Sequence, residues 1–262
     1  MSTTAVMIVD GYSPRTVDAM RDAIRFPWIE VCLREVLRRS GQSDYEIHVW
    51  DNAGIREHRA FLATLPGVHV WPIDEAQAAP LPHAVALDEL VARIGSDVDY
   101  LVTLDTDAFP VTDGWIDRLT SAIDGGAMLV GVWRDEMAPE LSPFVHPSCL
   151  CVRRQDLIDL HVKFSVYDQM EPGQNLTEAV VAHGGQIVPL RRSNKRNPHF
   201  LIAGIYGDLV YHHAAGSRPA WFYASNDQEE DERIRVQIRD AVFNDLDHLV
   251  AVLRGEIAND IW

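Results

Sequence analysis

Positive charge is scarce in this sequence: 23 Lys and Arg stand against 39 Asp and Glu, a formal net charge of -16 at pH 7. Such a surface argues against a nucleic-acid duplex or an anionic membrane as the main partner, since both select basic faces. It leaves a nucleotide open, because one metal ion or a few local arginines neutralise a diphosphate. The acidic excess itself reads as a solubility feature. Cysteine is also sparse. Cys32, Cys149 and Cys151 form neither a disulfide framework nor a zinc-ligand spacing, which predicts reduced, mostly buried thiols and a cytoplasmic setting. No apolar run approaches the ~20 residues of a membrane-spanning helix. The stretch from Met1 to Asp10 has no basic start and no long apolar region, so it is not expected to be a signal peptide.

What is present is an ordinary globular composition over 262 residues, 47% hydrophobic and 24% charged, enough for a substantial core. The first half alternates apolar runs with helical patterns. Ala5–Val9, Glu46–Trp50, Val68–Trp71 and the run ending at Asp105 read as strands. Trp28–Leu37, Ile55–Leu65 and Ala84–Ile94 read as helices. This order predicts an α/β fold with a mainly parallel sheet flanked by helices, in which ligands gather beyond the carboxyl ends of the strands. The second half is less regular. Helices are expected at Gly114–Ile123 and Asn175–His183, and short strands at Ala127–Val132, Cys149–Val152, Gln186–Leu190 and Leu209–His212. At the C-terminus Ile234, Ile238, Val242, Leu246, Leu249 and Leu253 form the stripe of an amphipathic helix over about residues 226–255. With no repeat and no linker, residues 1–262 are expected to form a single domain, with a first half to about 110 and a second from about 111 to 225.

The most informative stretch is Tyr100-Leu101-Val102-Thr103-Leu104-Asp105-Thr106-Asp107. A buried strand ends on two carboxylates one residue apart. Ionised carboxylates are costly to bury unpaired, but they suit a hard divalent cation held against a phosphate. The plainer alternative is a capping turn ahead of the helix near Gly114. Asp10 and Asp51 also fall at strand ends, so the four acids are expected to share one crevice. His146-Pro147-Ser148-Cys149 has the spacing of a Cys-His pair, yet a Cys leading into Leu150-Cys151-Val152 reads as buried and inert. Arg191, Arg192, Lys195 and Arg196 make the one basic cluster, read as a solvated loop sooner than an anion site.

The chain resembles the GT-A-type nucleotide-sugar glycosyltransferases, most closely the family 2 group, over about residues 4–218. The likeness rests on the first strand with its polar exit loop, Val49-Trp50-Asp51-Asn52-Ala53, Leu104-Asp105-Thr106-Asp107, Gly114-Trp115-Ile116 and His212-His213-Ala214-Ala215-Gly216-Ser217. The resemblance implies a GT-A (Rossmann-like) sheet and a soluble enzyme moving a sugar from a nucleoside-diphosphate sugar to the hydroxyl of a small-molecule, glycan or protein acceptor. It implies Mn²⁺ or Mg²⁺ held by Asp105 and Asp107, with His212 or His213 completing the site. Asp10, Tyr12, Arg15, Asp51 and Asp105 would contact the nucleotide.

The likeness breaks at the catalytic base. Relatives carry paired acids just before a helix, where this chain has Pro172 and Gly173. The nearby acids are Asp168 and Glu171, either of which could take the acceptor proton in an inverting transfer. Three rivals follow. A non-catalytic nucleotide-sugar or glycan-binding protein would explain the missing pair. A haloacid-dehalogenase-type phosphohydrolase also ends a strand in Asp-x-Asp, but on its first strand. A sugar nucleotidyltransferase expects a Gly-rich basic loop, of which Gly11-Tyr12-Ser13-Pro14-Arg15 is a poor version.

Overall fold

The computed structural model describes residues 2–11, 17–52, 54–71, 81–135, 142–165, 172–214 and 228–262. The elements run β1 (Thr4–Asp10), α1 (Val17–Arg25), α2 (Trp28–Arg39), β2 (Tyr45–Asp51), α3 (Arg56–Leu62), β3 (Val68–Trp71), α4 (His83–Arg93), β4 (Tyr100–Asp105) and β5 (Ala108–Pro110). There follow α5 (Trp115–Asp124), β6 (Ala127–Arg134), β7 (Phe144–Arg153), α6 (Arg154–Asp159), α7 (Gln174–Ala182), β8 (Gln186–Leu190), β9 (Gly204–Tyr206), β10 (Val210–His212) and α8 (Gln228–Leu253).

Seven strands form one sheet in the order β3-β2-β1-β4-β7-β6-β8. Only β7 runs against its neighbours β4 and β6; every other pairing in this sheet is parallel. A second, antiparallel sheet of order β5-β10-β9 stands at the exit of β4. The central strands are apolar on both faces, as strands covered by helices must be. One face, with Val6, Ile8, Val49, Val102 and Leu104, packs under α2, α5, α8 and the small sheet. The other, with Ala5, Met7, Val9, Leu101 and Leu150, packs against α4 and α7.

The expected C-terminal stripe is buried in full, from Ile234 at 8% exposed to Leu253 at 0%. Each such side chain contributes about 1.5–3 kcal/mol on leaving water, which fixes α8 on the body of the protein. The helix is not continuous. At Asp245 the backbone is extended (φ -156°, ψ 84°), and its Oδ1 accepts the His248 N–H at 3.0 Å, so Asp245 caps a second helical segment. No described helix is long and apolar enough to cross a membrane.

Several expectations needed revision. The strand expected at Cys149–Val152 is the ten-residue β7, and α3 stops at Leu62 in place of Leu65. Four elements went unanticipated: α1, α6 and the three-residue strands β5 and β9. All three cysteines are free and fully buried, as expected.

Candidate metal centre

β4 is hydrogen-bonded on both sides, by β1 and β7, and Leu101, Val102 and Leu104 are 0% exposed. This fixed strand delivers Asp105 to the carboxyl edge of the sheet. The chain then turns and enters β5, where Ala108 pairs with His212 of β10 and the His213 N–H donates to the Asp107 carbonyl at 2.9 Å. That pairing brings His212 over the two acids. Its Nε2 lies 3.9 Å from Asp105 Oδ2 and 3.7 Å from Asp107 Oδ1. One donor atom from each of the three lies within 4.8 Å of the others. Ligands about 2.1 Å from a common cation stand about 3 Å apart, so the cluster needs only a small contraction to hold one. Asp105 Oδ1 and His212 Nδ1 are buried without a hydrogen-bond partner, the sign of a polar site built for something more than itself.

Histidines surround these acids. His83, the first residue of α4, places Nε2 3.2 Å from Asp105 Oδ1. His146 stacks on His212 with ring centroids 5.7 Å apart. Burial alone would push the Asp105 carboxyl up, but His83, then His146 and His212, outweigh it and hold the group well below the usual carboxylate range. Burial and then the Arg134 guanidinium push His212 well below the usual imidazole range. It is therefore a neutral lone-pair donor at neutral pH, the form a metal requires. Arg134 ends β6, is 6% exposed, and donates from Nη1 to Tyr206 Oη at 3.3 Å.

His146 owes its position to a break in β7. Gly131 of β6 pairs with Leu150, but its neighbour Val132 pairs with His146, so residues around Pro147 bulge out of the ladder. The close approach depends on Gly131, where a β-carbon would collide with the Cys149 carbonyl and the Leu150 backbone. Thr103 Oγ1 ties the bulge down by donating to the Pro147 carbonyl at 2.6 Å. The Ser148 N–H donates to His146 Nδ1 at 3.0 Å. His146 thus serves the Asp105 cluster, while burial pushes the Cys149 thiol up and leaves it inert. Cys32 packs beneath the turn, its Sγ 3.4 Å from the Ala108 carbonyl oxygen.

Asp10 and Asp51 are register partners, and Asp105 is level with Val9, so the three acids share one edge of the sheet. Asp10 and Asp51 are each 2% exposed and each has an internal partner. Asp10 Oδ2 is 2.7 Å from His58 Nδ1. Burial pushes the Asp10 carboxyl up, and His58 only partly offsets that. Asp51 accepts the Gly54 N–H at 2.8 Å on one oxygen and Arg59 Nε on the other. The turn-capping geometry at Asp51 is therefore present. Next to it, Asn52 makes a two-way amide clasp with Leu81, accepting its N–H at 2.6 Å and donating to its carbonyl at 2.5 Å.

His213 faces the opposite way from His212. It is 0% exposed, 2.9 Å from Tyr211 Oη, and tilted over Trp28 with ring centroids 4.6 Å apart. Burial, with Arg235 and Arg239, pushes it down to about 3. Tyr12, Arg15, Asp168 and Glu171 lie outside the described residues. In the basic cluster, Arg192 and Arg196 donate to backbone carbonyls, and Arg191 pairs with Asp135 at 2.7 Å, so these three tie loops together. His58, Arg59, His83 and Arg134 carry no local signal in the sequence, since each acquires meaning from a partner distant along the chain.

Solved structures share this architecture. A mannosyltransferase from Pyrobaculum calidifontis, in complex with GDP-Man and Mn²⁺, matches with a TM-score of 0.53 at 16% identity, over 71% of this chain and 54% of its own. TarS from S. aureus matches at 0.52 and 12% identity, over 93% of this chain and 42% of its own. A 4-diphosphocytidyl-2C-methyl-D-erythritol synthase from Anaerococcus prevotii DSM 20548 matches at 0.50 and 8% identity, over 72% and 87%. The chain spans about half the length of the mannosyltransferase and less than half of TarS. No family model and no curated protein matches it by sequence. The fold is of the GT-A type, a mainly parallel α/β sheet flanked by helices.

Proposed function

We propose that this GT-A-type chain is a metal-dependent glycosyltransferase that moves a sugar from a nucleoside-diphosphate sugar to an acceptor hydroxyl, with inversion at the sugar carbon. The observation that carries this is the meeting of Asp105, Asp107 and His212 at the carboxyl edge of the sheet. Their two-carboxylate, one-imidazole donor set suits Mn²⁺ or Mg²⁺. Such an ion, when bound, neutralises charge building on the departing nucleoside diphosphate. His146 accepts the Ser148 N–H on Nδ1, which puts the proton of the neutral ring on Nε2, beside His212 and facing the site. Arg134 adds a fixed cation to the same wall. Asp10 and Asp51, braced by His58 and Arg59, form the floor under the nucleotide, with Tyr12 and Arg15 flanking it. Asp168 or Glu171 takes the acceptor proton as the hydroxyl oxygen attacks the sugar carbon and the sugar–phosphate bond breaks. The acceptor is a small molecule, a glycan or a protein side chain, and the work is cytoplasmic.

The test is a thermal-shift screen of UDP, GDP, dTDP and CDP, each with and without Mn²⁺, on the wild type and Asp107→Ala. Stabilisation by one diphosphate that needs both metal and Asp107 is the expected result. No shift with any nucleotide would overturn the proposal. The likeness to the synthase favours one second reading, a nucleotidyltransferase. Release of pyrophosphate from a nucleoside triphosphate would identify that reaction. Release of a nucleoside diphosphate from a sugar donor identifies the transferase. Metal-dependent binding without either product would make the chain a binding protein.

A further inference from the structure

A second cluster of donors lies away from that centre, at the open side of the sheet. Glu46 and His48 are two residues apart on β2 and so share a face, and His69 of β3 is in direct register with His48. One donor atom from each of the three lies within 4.8 Å of the others. His48 is 5% exposed, its Nε2 is 2.8 Å from Glu46 Oε1, and its ring stacks on His69 with centroids 4.7 Å apart. Trp71 Nε1 reaches its other nitrogen at 3.5 Å.

We propose that Glu46, His48 and His69 bind a zinc-like divalent transition ion, separate from the Asp105 centre, which staples the edge strand β3 to β2. Two imidazoles and a carboxylate form a borderline donor set of the kind zinc takes, with coordination positions left for water, whereas magnesium and calcium favour sets in which oxygen dominates. His48 is the anchored ligand and His69 the adjustable one. The stacked rings aim their lone pairs side by side, and His69, which is exposed, must turn to converge on the ion.

In the free chain the Trp71 N–H holds His48 Nδ1 as acceptor, which places the proton on Nε2, facing Glu46. Ligation through Nε2 moves that proton to Nδ1 and breaks the long contact with Trp71, so binding should be visible in the indole emission. Arg93 lies over the Trp71 ring at 5.7 Å, but its charge is balanced by Glu89. Strand spacing puts His48 about 12 Å from Asp105, too far for the two clusters to share an ion. Among the described residues β3 is bonded only to β2, and a cross-strand metal bond would secure this edge.

The experiment is calorimetric titration with ZnCl₂ of the full chain, after dialysis against chelator, with melting temperatures and tryptophan emission recorded alongside. The wild type should bind zinc and melt higher with it, and Asp107→Asn should keep this response. His69→Gln and Glu46→Gln, both at solvent-accessible positions, should each lose affinity roughly 10-fold or more. Trp71→Phe should abolish the zinc-dependent change in emission while zinc still binds. Unchanged zinc affinity in both His69→Gln and Glu46→Gln, or affinity lost in Asp107→Asn alone, would overturn the proposal. No nucleotide enters the measurement, so it stands or falls apart from the transferase assignment.

Discussion

Gly173 lies so close to Val145 that a β-carbon on it would overlap the Val145 carbonyl oxygen. Thr177 bolts the contact, accepting the Val145 N–H at 3.0 Å and donating to the Gly173 carbonyl at 2.9 Å. The start of α7 is thereby fixed to β7 one residue from His146. At the place where the resembled family carries paired acids, this chain has no room for a side chain on Gly173. The proposed transfer therefore assigns the catalytic carboxylate to Asp168 or Glu171, ahead of Gly173 in the sequence.

Gly173→Ala should therefore be costly. Gly173 has φ +92°, outside what alanine adopts without strain, and the overlap with Val145 adds to that. A loss of about 3 kcal/mol is expected in urea denaturation. A loss below about 0.5 kcal/mol would mean that α7 shifts freely against β7.

His212 and His213 are neighbours with opposite orientations, and substitution should separate their roles. His212→Ala is expected to weaken Mn²⁺-dependent nucleotide binding beyond whatever stability goes with a buried ring that stacks on His146. His213→Ala removes a fully buried ring between Trp28 and Tyr211, and should cost about 2–3 kcal/mol while leaving metal binding by the remaining folded protein intact. Paired melting curves with and without Mn²⁺ and nucleotide test both. Equal loss of metal response in the two variants would count against the assigned orientations.

Asp247 joins α8 to α2 by accepting from Arg38 at 2.8 Å on each oxygen and from Arg39 at 2.7 Å. The Arg38 hydrogen bonds, against a smaller opposing effect of burial, hold its carboxyl below the ordinary 3.8. A carboxyl lowered in the folded state stabilises above its unfolded value, and that stability is lost as pH falls through the folded value. Asp247→Asn should thus be less stable than wild type at pH 7, and the gap should close on acidification below 3.8. Asp247 is 60% exposed, so the gap at pH 7 is expected to stay under about 1 kcal/mol and to shrink in high salt. Urea titrations across pH read it directly, and a gap that widens in acid would contradict it.

The alternation of strand and helix up to Asp105 was legible because buried parallel strands read as unbroken apolar runs. The α8 stripe was legible because its period is helical. Neither signal reaches β5 and β9, which exist through their pairing with β10. Pro147 argues against a central strand, and β7 accommodates it only by the bulge opposite Gly131 and Val132. The kink at Asp245 was hidden because the apolar stripe passes through it without a break. Asp105 and Asp107 stood out as acids ending an apolar run, but His83 at the start of α4 has nothing nearby in sequence to mark it.

The pairing of Ala108 with His212 has a consequence for the order in which the molecule is made. Asp107 leaves the ribosome 105 residues ahead of its imidazole partner His212. A nascent chain that has finished β9 holds the carboxylate pair without His212 and without the β10 that carries it. Closing so long a loop waits on the packing that rewards it. The full donor set therefore forms only once β10 has paired with β5, and occupancy of the centre would report that this long loop has closed.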